Sequence, residues 1–149
     1  METSSLLSRL VLIILFVTCF AATTASARPG WIYTRTRGRC TPQYWSRRSE
    51  SWPRMVPQTS TVSNVFGSMV FERYRSEITL LESASMGDDE NAFNGLLKQA
   101  IAALLNSYSR EGFPYSAWEV KTLVIQALVS KEAAARQARQ FSIANEACD

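Results

Sequence analysis

The chain has no histidine among its 149 residues. That excludes the Ser–His and Cys–His pairs in which an imidazole takes the nucleophile's proton, and every metal site built on an imidazole. Cysteine is scarce, at three. Two cysteines without a histidine do not furnish the four-ligand shell of a zinc site. No Asn-x-Ser/Thr triplet occurs, so N-glycosylation has no acceptor. Beyond the first residues no apolar stretch approaches the roughly 20 residues that a membrane-spanning helix needs.

The first residues are different. Arg9 precedes an unbroken apolar run, Leu10 to Val17, which continues through Thr18 and Cys19 to Ala22. At about a dozen residues it is too short to anchor across a roughly 30 Å hydrocarbon layer. Ala25-Ser26-Ala27 then gives a small-x-small exit ahead of Arg28-Pro29-Gly30. Charged start, apolar core and small-residue exit predict a cleavable secretory signal over residues 1–27, cut after Ala27; an N-terminal membrane anchor is the alternative. The expected location is the extracellular space or the cell wall, with no stable membrane anchor. Cys19 would leave with the signal, and Cys40 and Cys148 would remain as an even pair in an oxidising compartment, where a disulfide is expected. Closing a loop of roughly 100 residues is worth about 4–5 kcal/mol in the chain-entropy model. The remaining length suits one modest core and not two.

Charge is uneven. Residues 28–54 hold seven arginines (28, 35, 37, 39, 47, 48 and 54) against one acid, Glu50, whereas residues 55–149 hold eight basic and eleven acidic residues. Arg35, Arg37 and Arg39 alternate, so an extended chain presents all three on one side. Residues 28–39 are read as a basic flexible arm. Residues 40–58 carry Tyr44, Trp45 and Trp52 among Pro42, Pro53 and Pro57; this density of proline opposes regular helix and predicts an irregular strap laid over the core by its aromatics.

Helical spacing follows. Val62, Val65, Phe66, Met69 and Val70, interrupted by Gly67, predict a short helix or turn, and Tyr74, Ile78, Leu81 and Ala84 share one face of a helix within 71–86. Asp88 and Asp89 are read as the start of the next helix, at the positive end of its dipole. That helix, from about Asp89 to Tyr108, has Phe93, Leu97, Ile101, Leu104 and Tyr108 at i, i+4, i+8 spacing, with Leu96, Ala100, Ala103 and Leu105 widening the stripe. Residues 110–114 break it. Ser116 with Glu119 is a capping box, opening a helix through Val120, Leu123, Val124, Ala127 and Leu128. Tyr115 and Trp118 are read as a staple at its entrance. Ser130 caps a last helix, Lys131 to Asn145, with Ala134, Ala138, Phe141 and either Ile143 or Asn145 facing inward. The prediction is an all-α fold: a small bundle of about four helices with an aromatic N-terminal strap, closed by one disulfide.

Several of these segments carry a resemblance. Ala103-Leu104-Leu105-Asn106-Ser107, Phe113-Pro114-Tyr115, Ala127-Leu128, and the run Ala133 to Phe141 ending in Ala144-Asn145-Glu146 together resemble the C-terminal domain of plant protodermal factor proteins, secreted proteins associated with epidermal cell walls. Cys40-Thr41-Pro42-Gln43-Tyr44-Trp45 and Ser51-Trp52-Pro53 look like the opening of that domain, and are similar to a CTPGYWKNH-type module of bacterial surface proteins. Ser46-Arg47-Arg48 departs from the opening motif, and the proline-rich repeat that precedes the domain in protodermal factors is absent. The resemblance covers Cys40 to Cys148 and implies a role at the epidermal surface; it supplies no catalytic residues.

Among the acids, Glu72, Glu77 and Glu82 read as a solvated helix face rather than a glycosidase pair, and Asp88-Asp89-Glu90 lacks the alternating oxygen ligands of a calcium loop. Asn106 reads as a helix-terminal or buried, satisfied amide, and Trp45 and Trp52 as core or strap residues rather than carbohydrate platforms. No catalytic residue, metal ligand or cofactor is expected, and the chain is read as a non-enzyme. The arginines at 35, 37, 39, 47 and 48 are the candidate contacts to an anionic partner, either acidic wall polysaccharide or anionic lipid headgroups by screened attraction, or a wall protein; a solvated, partly disordered tail is the competing reading of the arm's charges and is slightly favoured. Export sets nucleic acid aside. The alternative is a secreted signalling or defence protein acting on a receptor or membrane.

Overall fold

The computed structural model describes residues 38–74, 77–87 and 91–148. The signal and its cleavage point at Ala27, most of the arm including Arg35 and Arg37, and the acidic run 88–90 lie outside them.

Within the described residues the domain is all-α. It has seven helices: α1 (Pro42–Arg47), α2 (Val62–Phe66), α3 (Ser68–Tyr74), α4 (Leu80–Ser85), α5 (Ala92–Ser109), α6 (Ala117–Ala127) and α7 (Lys131–Ala147). Only the last three are longer than two turns. A disulfide joins Cys40 to Cys148, 108 positions apart, with 5.8 Å between their Cα atoms.

α5 is the axis of the fold. Leu96, Leu97, Ile101, Leu104 and Leu105 are wholly buried, as are the alanines at 100, 102 and 103. A helix apolar on every side must be surrounded, and it packs chiefly against α7, then α6 and α4. The alanines let those neighbours approach closely. Burying each large side chain contributes roughly 1.5–3 kcal/mol, so α5 outweighs the caps, worth about 1 kcal/mol each.

Caps set the boundaries. Thr41, Thr61, Thr79, Asn91, Ser116 and Ser130 each accept a backbone N–H of the following turn through their side chains. At Thr79 and Ser116 the glutamate three residues on returns a bond to the cap's own N–H, at 2.8 Å from Glu82 and 2.7 Å from Glu119. Gly67, at φ 101°, reverses the chain between α2 and α3, a conformation that a side chain would strain.

Three details differ from expectation. The strap is not wholly irregular, because Pro42 sits in the first turn of α1 behind the Thr41 cap, where a missing N–H costs nothing. The helix expected within 71–86 is two, because Thr79 caps α4; there Val62 N–H donates to Ile78 C=O and Leu80 N–H to Ser60 C=O, both at 2.9 Å. The cap of α5 is Asn91, whose Oδ1 accepts Phe93 N–H at 3.0 Å, which puts the helix start past the acidic run.

Candidate functional site

The described part of the basic segment surrounds α1. Arg39 precedes the helix and Arg47 and Arg48 end it, all exposed. Six helical residues rise only about 9 Å, so these cations flank one short helix. Arg48 Nη1 lies 3.9 Å from Glu50 Oε1 with both side chains largely in solvent, a pairing that such exposure makes weak.

Beneath α1 the segment is fixed by a buried polar network. Trp45 Nε1–H donates to Asn106 Oδ1 at 2.8 Å. Asn106 Nδ2 donates to Cys40 C=O at 2.7 Å and to Asn145 Oδ1 at 2.9 Å. Asn145 Nδ2 in turn donates to the backbone and side-chain carbonyls of Gln99, both at 3.0 Å. Asn106 and Asn145 have no exposed surface, and a buried amide needs such partners. Trp52 Nε1–H donates to Trp45 C=O at 2.9 Å, tying the strap to α1. The indoles at 45 and 52 are therefore core residues. Of the two inward candidates near the end of α7, Asn145 is buried and Ile143 is 61% exposed.

Arg110 completes the assembly. Its Nη2 donates to Arg39 C=O at 3.0 Å, and its guanidinium lies 5.5 Å from the Trp45 ring centroid and 5.8 Å from that of Tyr44, within cation–π range.

Two of the carboxylates are engaged at helix starts. Glu82 and Glu119 are held below the ordinary value of 4.5, first by the backbone N–H of Thr79 and Ser116 and then by those residues' hydroxyls. Such acids are tied to helix starts and are poorly placed for proton transfer. Among the described residues no group of three or more Asp, Glu, His or Cys side chains is arranged to hold a metal, and no helix is long and apolar enough to cross a membrane.

Two surface features carried no signal in the spacing. Tyr115 packs edge-on against Phe141, with centroids 5.4 Å apart, but Trp118 is 74% exposed and is no staple. Ile125 on α6 and Val129 just past its end are exposed as well, and those two line a groove with Met69 of α3. A second groove lies between α6 and α7 and is lined by glutamines.

These features define a small, disulfide-closed helical domain whose N-terminal strap is pinned to its central helix by an indole–amide network. The family profile described as the protodermal factor 1 C-terminal domain matches residues 40–148. The chain belongs to that family, which ties it to the plant epidermis. No curated protein and no solved structure matches it.

Proposed function

We propose that the protein is an exported, non-enzymatic, wall-associated module that binds acidic wall polysaccharide, or another acidic wall component, through its arginine-rich N-terminal segment. The observation that carries this reading is the exposed Arg39, Arg47 and Arg48 around a helix rooted by the disulfide and by Asn106. Polyanions with spaced carboxylates suit clustered guanidinium groups, which hold carboxylates bidentately. The disulfide supports export, since such bonds persist in oxidising compartments. Arg35 and Arg37 extend the same cluster along the chain.

The test is retention of the secreted protein on de-esterified pectin. Binding at about 0.1 M salt should be released near 1 M, where the screening length falls to about 3 Å. Replacing Arg35, Arg37 and Arg39 with Gln should abolish it. Retention that ignores salt, or survives the triple replacement, refutes the proposal. The second reading, a secreted signalling or defence protein acting on a receptor, is favoured by one observation: the exposed apolar face at Trp118, Ile125 and Val129. Retention unaffected by charge but lost on Trp118→Ala would favour it.

A further inference from the structure

Arg110 follows α5 directly. Its backbone N–H donates to Asn106 C=O at 2.8 Å, and its side chain reaches across to α1. The guanidinium lies 5.5 and 5.8 Å from the Trp45 and Tyr44 rings, and Nη2 donates to Arg39 C=O at 3.0 Å. A long side chain held by two rings and a carbonyl has already given up most of its rotamer freedom, which exposed arginines such as Arg47 must still lose on binding. Nε is buried. Nη1 is not enclosed and has no acceptor among the described residues, and the bond from Nη2 lies at the surface. The outer edge of the fork therefore faces solvent.

Arg110 is half-buried, and no carboxylate of the described residues pairs with it. Glu111, next in the chain, lines a groove with Phe113, Ala144 and Ala147 instead. Arg39, whose carbonyl the fork holds, is exposed and adds a second positive charge beside it. A half-buried cation without a counter-ion keeps a strong outward field, because the protein on its inner side screens less than water. Nη1 keeps both of its N–H groups, and Nη2 keeps the one that Arg39 does not use. A carboxylate is the ligand that such a planar fork accepts best, through two parallel bonds. Tyr44 is only half-buried, which leaves an aromatic surface beside the fork on which the apolar face of a sugar ring can lie.

We infer that Arg110 is the fixed point of polysaccharide binding: its Nη1 and Nη2 take one uronate carboxylate between α1 and the end of α5, while the arginines of the N-terminal segment attract the rest of the polymer without fixing its register. The inference rests on the acidic-polysaccharide reading above, but not on the arm at 35 and 37.

The experiment titrates the full secreted chain, made with nitrogen-labelled arginine, with trigalacturonate and follows the arginine Nε–H resonances by NMR. The buried Nε of Arg110 gives a proton shielded from exchange. Its resonance should shift more than that of any other arginine, and the fully methyl-esterified trimer should leave it in place. Arg110→Lys, which keeps the charge but not the fork, should weaken binding of the trimer about tenfold or more in calorimetry well below the melting temperature. An Arg110 resonance unmoved by millimolar trimer overturns the inference, and this result needs no variant to fold. So does Arg110→Lys that binds as the parent does, or triglutamate that moves Arg110 as readily as the sugar acid. Retention on pectin with Arg110 unmoved would leave the arginine-segment reading standing and sink this one. Retention that survives the replacements at 35, 37 and 39, with Arg110 still shifted by the trimer, would do the reverse.

Discussion

Replacing Asn106 with Leu tests the centre of the fold. The new side chain is similar in volume but has no polar atoms. It leaves Trp45 Nε1–H without its acceptor at 2.8 Å, and Cys40 C=O and Asn145 Oδ1 without their donor. Water cannot reach a site with no exposed surface, so each orphan costs about 1–3 kcal/mol. The indole N–H stands at the upper end, having no second partner to turn to; the two carbonyl oxygens stand lower. The sum is about 4 kcal/mol, against a total of about 5–15 kcal/mol for a domain of this size, and the melting temperature should fall by about 15 °C. Asn145→Leu should cost less, about 2 kcal/mol. The double replacement should cost less than the sum of the two, because the pair shares one bond. Urea and thermal unfolding of the oxidised protein, followed by circular dichroism, measure all three. A loss below about 1 kcal/mol in Asn106→Leu would refute the view that this amide holds the strap to α5.

Two further outcomes follow from the closure and the caps. Replacing both Cys40 and Cys148 with Ser opens a loop of 108 positions and should cost up to about 4–5 kcal/mol; a variant that unfolds at the same urea concentration as the oxidised parent would contradict this. Ser116→Ala should cost about 1 kcal/mol and should also flatten the acid limb of the stability profile. Glu82, Glu119 and Glu132 have folded pKa values below the ordinary 4.5. Their contribution is therefore complete above about pH 4.5 and is lost as pH falls through the lower folded values. Stability that is constant from pH 7 down to pH 3 would contradict the capping assignment.

The long helices were legible because their apolar residues repeat at 3.6. Leu97, Ile101 and Leu104 on α5, Val120, Val124 and Ala127 on α6, and Ala134 and Phe141 on α7 are all buried as that spacing requires. The Ser116–Glu119 box and the Ser130 cap mark helix starts that the structure contains. The interruption between α3 and α4 was obscured because Tyr74, Ile78 and Leu81 keep helical spacing across it. Yet Thr79-x-x-Glu82 is the same capping box as Ser116-x-x-Glu119 and marks the boundary. α1 was hidden by counting prolines without their positions, since Thr-Pro opens a helix as readily as proline ends one. Trp118 illustrates the limit of residue type as a guide to burial: it lies on the 118, 125, 129 face, while 120, 124 and 127 face inward. Gln137 was legible by position but not by residue type. Arg136, Gln137, Arg139 and Gln140 suggest a polar helix face by residue type, but Gln137 lies three residues after Ala134 and four before Phe141, on the stripe that faces inward.

The chain enters the domain through two consecutive residues held in three independent ways. Cys40 is covalently joined to Cys148 beyond the end of α7, its carbonyl accepts from Asn106 of α5, and the carbonyl of Arg39 accepts from Arg110 at the end of α5. No one of these depends on the others for its partner atoms. An acidic polymer bound at the arginines on either side of α1 would therefore be bound to α5 and α7 as well, because those helices hold the root of the segment. Reduction of the disulfide removes only the covalent tie; Asn106→Leu removes the Cys40 carbonyl's donor and Trp45's acceptor together. If the root of the segment matters to binding, reduced protein that is still folded should keep most of its retention on pectin, and Asn106→Leu, assayed well below its melting temperature, should lose more of it than reduction does. The opposite order would mean that the covalent link alone sets the geometry of the arginines.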